Sequence, residues 1–146
     1  MGAATALLHA PRDATVAALV VDSPFADLRE LIQEVVLDVS RQLGVPLPAW
    51  GVSAVLTALQ ATMLRSTGLD FSGLKPIASA PRMFVPALFC VGDKDTLIRP
   101  HHSSALMHAY GGETQLFSIP DQGHNEMRPA TFQGTAKEFL RRSMRL

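Results

Sequence analysis

The chain has 146 residues, which is the length of one ordinary domain. Its 47% hydrophobic and 18% charged residues exclude an intrinsically disordered protein, because the chain carries enough apolar surface to form a core. Thirteen Lys and Arg residues balance thirteen Asp and Glu residues, and without a basic surplus we expect no nucleic acid and no anionic membrane as the main partner.

Three apolar segments have the pattern of β-strands. These segments are at about residues 16–21, 85–91 and 115–119. The first two segments are continuous apolar runs, which are typical of parallel strands that are covered on both faces. The sequence therefore predicts three parallel strands inside a layered fold.

Helical patterns lie between the predicted strands. Ser23 and Pro24 have the residue types of a helix N-cap and of the first helical position, and apolar residues then recur at helical spacing from Phe25 to Leu43. Further helices are predicted at about 52–64, 74–80 and 100–110, and from Pro129 onward. This alternation predicts an α/β fold with flanking helices. Because an average sheet has about five or six strands, we expect the remaining strands to precede Met1.

Polar residues follow each of the three predicted strands. Asp22 follows the first strand, Asp95 the second and His124 the third. Parallel strands bring such residues to one edge of the sheet, where a carboxylate can accept the Nδ1 hydrogen of an imidazole and fix its tautomer. From these residues alone, Asp95 is equally explained as a turn residue and His124 as a loop histidine without a partner.

Two loops and the start of the chain resemble parts of the α/β-hydrolase superfamily. Residues 92–98 (GDKDTLI) are similar to the acid loop of that superfamily, and residues 122–125 (QGHN) are similar to its histidine loop. The opening MGAATAL resembles the second half of the nucleophile elbow Gly-x-Ser-x-Gly, with Met1 as the second x and Gly2 as the final glycine. These matches follow the order of the superfamily.

Two further segments resemble the serine aminopeptidase-like branch of the superfamily. Residues 20–28 (VVDSPFADL) are similar to the strand and turn that follow the elbow helix. The match is strengthened by residues 100–103 (PHHS) and by His124-Asn125 together with Arg128-Pro129. The resemblance covers the whole chain, 1–146, but only the carboxyl-terminal half of a family domain. It implies a partial α/β-hydrolase fold without the strands before the elbow, with residues 25–71 as a cap-like helical segment.

The resemblance also implies a reaction, the cleavage of an ester or amide bond in a small molecule. In a complete family member serine attacks the carbonyl, His124 acts as general base and then acid, and Asp95 orients His124. The serine would immediately precede Met1, whose amide would be one oxyanion-hole donor. We therefore expect the true start of the polypeptide to lie upstream, and the isolated chain to be inactive.

Other candidate nucleophiles and ligands are explained structurally. Ser23 is read as a helix cap, and Cys90 lies within an apolar strand as a small buried side chain. His101 and His102 are adjacent and do not share a helix face, so no metal site is expected, and no cofactor is expected either. An unrelated doubly wound ligand-binding domain is a third alternative, disfavoured because no Gly-rich phosphate loop follows any strand.

The location and assembly of the protein are weakly specified by the sequence. The single cysteine favours a reducing compartment such as the cytoplasm, and no apolar run reaches the roughly 18 residues needed to span a bilayer. The oligomeric state stays open. The alternative to a hydrolase is a non-catalytic half-domain, either a decayed hydrolase or a module that binds a partner supplying the remaining strands.

Overall fold

The computed structural model describes residues 1–68 and 70–144. The chain divides into two compact units, one formed by Met1–Ala26 with Pro76–Leu146 and the other by Asp27–Lys75. Leu69 in the predicted segment 25–71, and the last two residues of the predicted domain 1–146, lie outside the described residues. Within the described ranges, no helix combines the length and the apolar character that a membrane-spanning helix needs.

The elements alternate along the chain as the sequence predicts. The strands are β1 (Leu19–Asp22), β2 (Ala87–Gly92) and β3 (Thr114–Ile119). The helices are α1 (Gly2–His9), α2 (Leu28–Gln42), α3 (Ala49–Thr67), α4 (Pro76–Ser79), α5 (Pro100–Ala109) and α6 (Ala130–Ser143), with short 3₁₀ helices at Ala10–Arg12, Phe71–Gly73 and Ala80–Arg82.

The three strands form one parallel sheet in the order β1-β2-β3. The predicted fold class, three parallel strands with flanking helices, is confirmed. Pairing begins later than the apolar runs suggest, because Pro86 has no N–H to donate and only its carbonyl bonds, to the amide of Leu19. Because all three strands are parallel, their carboxyl ends lie at the same edge of the sheet.

The central strand β2 connects two apolar clusters within its unit. All six of its residues are buried. Ala87 and Phe89 belong to one cluster, which also contains residues of α1 and α5, whereas Leu88 and Cys90 belong to the other, together with Phe132 and Phe139 of α6. Successive side chains of a strand point to opposite faces, so both faces of the sheet are covered in the way that a continuous apolar run predicts.

The start of α2 differs from the prediction. Ser23 is not its N-cap; the helix begins at Leu28, and the side chain of Asp27 caps it by accepting a hydrogen bond from the amide of Arg29 at 2.8 Å. Ser23 instead has a φ of 44°, in the left-handed region that is incompatible with an N-cap. The prediction failed because two cap-type residues precede the same apolar run, and local residue type alone does not choose between them.

We expect Asp27→Ala to destabilise α2 by about 1 kcal/mol, because the amides of its first turn lose their side-chain acceptor. The measurement is NMR hydrogen exchange of the first-turn amides, which should exchange faster in the variant. Asp27→Asn is the matched control, since it retains a capping oxygen and loses only the charge that pairs with Lys75 at 3.1 Å. Equal losses in the two variants would assign the effect to the ion pair instead of the cap.

Candidate active site

The loop after β2 fixes the carboxylate of Asp95 tightly. The amide of Asp95 bonds to the carbonyl of Gly92 at 3.2 Å, and Oδ1 of Asp95 accepts hydrogen bonds from the amides of Leu97 at 3.0 Å and Ile98 at 2.8 Å. The residue is 3% exposed. Because a buried charge is costly unless it is paired and hydrogen-bonded, these contacts lock the carboxylate in one orientation.

The structure brings Asp95 and His124 together. Oδ2 of Asp95 lies 2.8 Å from Nδ1 of His124, although 29 residues separate them in the sequence. An ionised carboxylate only accepts hydrogen bonds, so this contact places the hydrogen of a neutral imidazole on Nδ1 and leaves Nε2 as an acceptor. The His124 side chain remains 27% exposed, against 1% for Asp95. The pair therefore joins a fixed buried carboxylate to an accessible ring.

The acid loop and the histidine loop are joined through their backbones. The amide of Lys94 donates to the carbonyl of Gln122 at 3.1 Å, and the amide of Asp93 donates to the carbonyl of Ile119 at 3.1 Å. Gly92 lies directly beneath this contact, because a Cβ there would be 2.3 Å from the carbonyl oxygen of Gln122. The close approach of the two loops thus requires glycine at position 92.

A cavity of about 190 Å³ lies beside His124. Its lining residues come from the start of α1, the end of β1 and both loops: Met1, Gly2, Ala3, Asp22, Ser23, Ile98, His124 and Arg128. The two residues predicted as an elbow remnant are therefore on the same cavity as the predicted base. A Cβ at Gly2 would meet no atom within 4 Å, so the described residues impose no steric need for glycine there.

Arg128 is a cavity residue that sequence reasoning missed as a site residue. Its guanidinium holds the carboxylate of Asp22 in a bidentate pair, with both N–O distances at 2.8 Å. The hydrogen bond with Asp22 is the main cause that raises the pKa of Arg128 above its ordinary value. The only sequence signal was the Arg128-Pro129 pair that supported the family resemblance, and that signal gave the arginine no role.

The other candidates have structural environments. Cys90 is fully buried in β2, and this burial raises the pKa of its thiol to about 12, which leaves no reactive thiolate near neutral pH. His102 is fully buried in α5, where Nδ1 accepts a hydrogen bond from the amide of Ala26 at 3.4 Å. Neither residue is among those that line the cavity beside His124.

Solved structures of esterases share this fold. Acetyl xylan esterase 1 from Thermoanaerobacterium sp. has a TM-score of 0.66 and 21% identity, over 97% of this chain and 43% of that one. An esterase from Pyrococcus furiosus has a TM-score of 0.63 and 21% identity, over 99% and 51%. The esterase domain of a Rhodothermus marinus protein has a TM-score of 0.63 and 15% identity, over 97% and 56%.

A further match is MGS-M2, an alpha/beta hydrolase enzyme from a deep-sea metagenome library, with a TM-score of 0.60 and 21% identity over 95% of this chain and 62% of that one. The fold of this chain is therefore part of the α/β-hydrolase fold. The chain spans about half the length of the three esterase structures that it matches. By sequence, neither a protein-family model nor a curated protein matches it. The similarity between this chain and these esterases is therefore a similarity of three-dimensional fold.

We expect Gly92→Ala to lower the free energy of unfolding by about 1–3 kcal/mol, because its Cβ would overlap the carbonyl of Gln122 and force the two loops apart. Urea unfolding followed by circular dichroism measures this loss. The control is Gly134→Ala on the exposed side of α6, where a Cβ meets nothing within 4 Å.

Gly134→Ala is expected to stabilise the chain by about 0.5–1 kcal/mol, since alanine loses less backbone entropy than glycine in a helix interior. If Gly92→Ala were as stable as the parent, the close contact between the acid and histidine loops would be contradicted. A loss in both variants would point to a general effect of added side-chain volume.

Proposed function

We propose that this chain supplies the acid and the base of an α/β-hydrolase that cleaves ester bonds of small molecules through a serine nucleophile. The carrying observation is the 2.8 Å contact between Asp95 and His124 beside a cavity that Met1 and Gly2 also line. A buried carboxylate that orients an accessible imidazole is the pairing that activates an alcohol for attack on a carbonyl.

The mechanism assigns one task to each group. Nε2 of His124 takes the proton of the serine hydroxyl as the serine oxygen bonds to the ester carbonyl carbon, and the same proton then passes to the leaving alkoxide. Asp95 stabilises the imidazolium that forms between these steps. A water molecule, deprotonated by His124, then attacks the acyl-enzyme and releases the acid, with the returned proton restoring the serine.

The nucleophile in this proposal is a serine bonded to the nitrogen of Met1 in a longer polypeptide. Two points support that position. Met1 and Gly2 line the cavity that His124 also lines, and α1 begins at Gly2, as an elbow helix would. In such a polypeptide the Met1 nitrogen is a peptide amide and can donate to the oxyanion of the tetrahedral intermediate. The sequence resemblance of residues 20–28 supports a place in the serine aminopeptidase-like branch, with residues 25–71 as a cap-like helical segment.

Ser23 is the competing nucleophile. It is the one residue with a hydroxyl among the described residues that line the cavity. Its backbone has a φ of 44°, and its Oγ accepts a hydrogen bond from Nη2 of Arg128 at 3.2 Å. Non-glycine residues in this strained region are enriched at active sites, so Ser23 needs a direct test.

We expect the 146-residue chain to hydrolyse p-nitrophenyl acetate no faster than its His124→Ala variant, because in this proposal the serine that His124 activates would precede Met1. The release of p-nitrophenolate, followed by absorbance, measures both rates. Turnover that disappears in both His124→Ala and Ser23→Ala would make Ser23 the nucleophile and contradict the proposal.

The longer polypeptide gives the positive test. This polypeptide would be expressed from a reading frame extended upstream of Met1. We expect a fluorophosphonate probe to label the serine that precedes Met1, and peptide mass spectrometry locates the label. In that polypeptide Asp95→Asn should lower kcat by about 10⁴-fold, because the amide no longer holds the imidazole in the required tautomer.

Two results would count against this assignment. Absence of a serine before Met1 in that frame would remove the nucleophile of the proposal. A serine that is present but takes no label would favour the alternative function, a non-catalytic half-domain that binds a partner.

A further inference from the structure

Arg128 uses every hydrogen-bond donor of its guanidinium. Nε and Nη2 hold the carboxylate of Asp22, and Nη2 also donates to Oγ of Ser23 at 3.2 Å. Nη1 donates to Oε1 of Gln122 at 3.0 Å and to the carbonyl of Gly123 at 3.1 Å. An arginine side chain has five N–H donors, so this guanidinium is fully satisfied.

The partners of Arg128 come from two places in the fold. Asp22 and Ser23 are at the carboxyl end of β1, and 106 residues separate Asp22 from Arg128 in the sequence. Gln122 and Gly123 directly precede His124 in the loop after β3. Since β1 and β3 each pair only with β2 in the described sheet, Arg128 bridges two strand ends that have no backbone hydrogen bond between them.

We propose that Arg128 is a positioning residue for His124, which anchors the histidine loop to the end of β1 and so keeps the imidazole on Asp95 and facing the cavity. A catalytic role for this anchor rests on the proposed function. The contact itself, in which one guanidinium holds the carbonyl immediately before His124, is a property of the described residues and does not depend on that function.

Flexibility of the loop backbone explains why an external anchor is needed. Gly123 has no side chain to pack, and glycine is the residue with the largest conformational freedom in the unfolded chain. Gln122 is held by the amide of Lys94 through its carbonyl, whereas the carbonyl of Gly123 is held by Arg128. Without that bond, the peptide that carries His124 loses the contact that sets its direction.

The anchor also requires an arginine. Its planar fork binds the two oxygens of Asp22 on one side and still reaches Gln122 and Gly123 on the other. A lysine ammonium has three donors and no fixed plane, so it can retain the charge pair but not both sets of contacts. The Arg128 side chain is only 13% exposed, against 41% for Asp22, which places the guanidinium and not the carboxylate at the protected centre of the network.

The test follows the tautomer of His124 in the 146-residue chain, which needs neither a nucleophile nor a substrate. Long-range ¹H–¹⁵N NMR spectra, recorded where the ring is neutral, distinguish the Nδ1–H from the Nε2–H form. We expect Nδ1–H in the parent, as the contact with Asp95 requires. Arg128→Gln should move the ratio about tenfold toward Nε2–H, which corresponds to about 1.4 kcal/mol.

Two companion variants separate positioning from bulk stability. Arg128→Lys should give a smaller but measurable change, because lysine retains the charge opposite Asp22 but not both sets of contacts. Arg141→Gln is the matched control: it removes an exposed arginine that pairs with Glu138 on α6, at a distance of 2.9 Å, and should leave the tautomer ratio unchanged. Circular dichroism and the melting temperature verify that each variant is folded.

An unchanged ratio in a folded Arg128→Gln variant would overturn the proposal, as would an equal change in Arg141→Gln. If Arg128→Gln does not fold, Asp22→Asn decides, because it weakens the bidentate pair and leaves Arg128 in place; a shift toward Nε2–H supports the anchor and no shift overturns it. None of these outcomes depends on ester hydrolysis, so the proposed function and the anchor fail independently.

Discussion

The site depends on one constraint, the burial of the Asp95 carboxylate. A carboxylate on a residue that is 3% exposed has to be paired and hydrogen-bonded, and three donors provide this: the amides of Leu97 and Ile98, and Nδ1 of His124. Two of the donors are local to the loop, but the third comes from the neighbouring strand connection. The requirement to satisfy this carboxylate therefore ties the conformation of one loop to the position of the other.

The sheet makes that tie possible. β2 and β3 pair in parallel, with Gly92 opposite Ile119, so the loops that follow them leave the same edge side by side. The apolar residues of β2 fix this register through clusters on both faces, and the glycine at its end allows the backbone of Gln122 to cross over it. The residues of β2 that pack in the core and the glycine that lets the two loops approach are thus neighbours along one strand. The position of His124 depends on both.

The sequence contained the parts of this arrangement that depend on local pattern. Continuous apolar runs predicted the strands, and polar residues after strand ends predicted that Asp95 and His124 share an edge, because parallel pairing converts sequence position into spatial proximity. Choices between equivalent local signals were not predictable: Asp27 caps α2 although Ser23 has the same residue preference. The role of Arg128 was not predicted for a different reason. Its contact with Asp22 joins residues 106 positions apart and is set by the tertiary fold, whereas the periodicity of a sequence predicts only local structure.

The same guanidinium bears on the choice between the two candidate nucleophiles. Oγ of Ser23 accepts a hydrogen bond from the cationic Arg128, which uses one of its two lone pairs and holds the hydroxyl against the guanidinium. The backbone amide of Ser23, which has a φ of 44°, donates a hydrogen bond to the carbonyl of Cys90 at 2.9 Å, and this contact with β2 holds the left-handed conformation in place. If Ser23 left Arg128 to attack a substrate, one N–H donor of the guanidinium would lose its acceptor. In the proposed hydrolase, the contacts of Ser23 are therefore those of a residue that helps to hold Arg128, and the proposal places the nucleophile before Met1 instead.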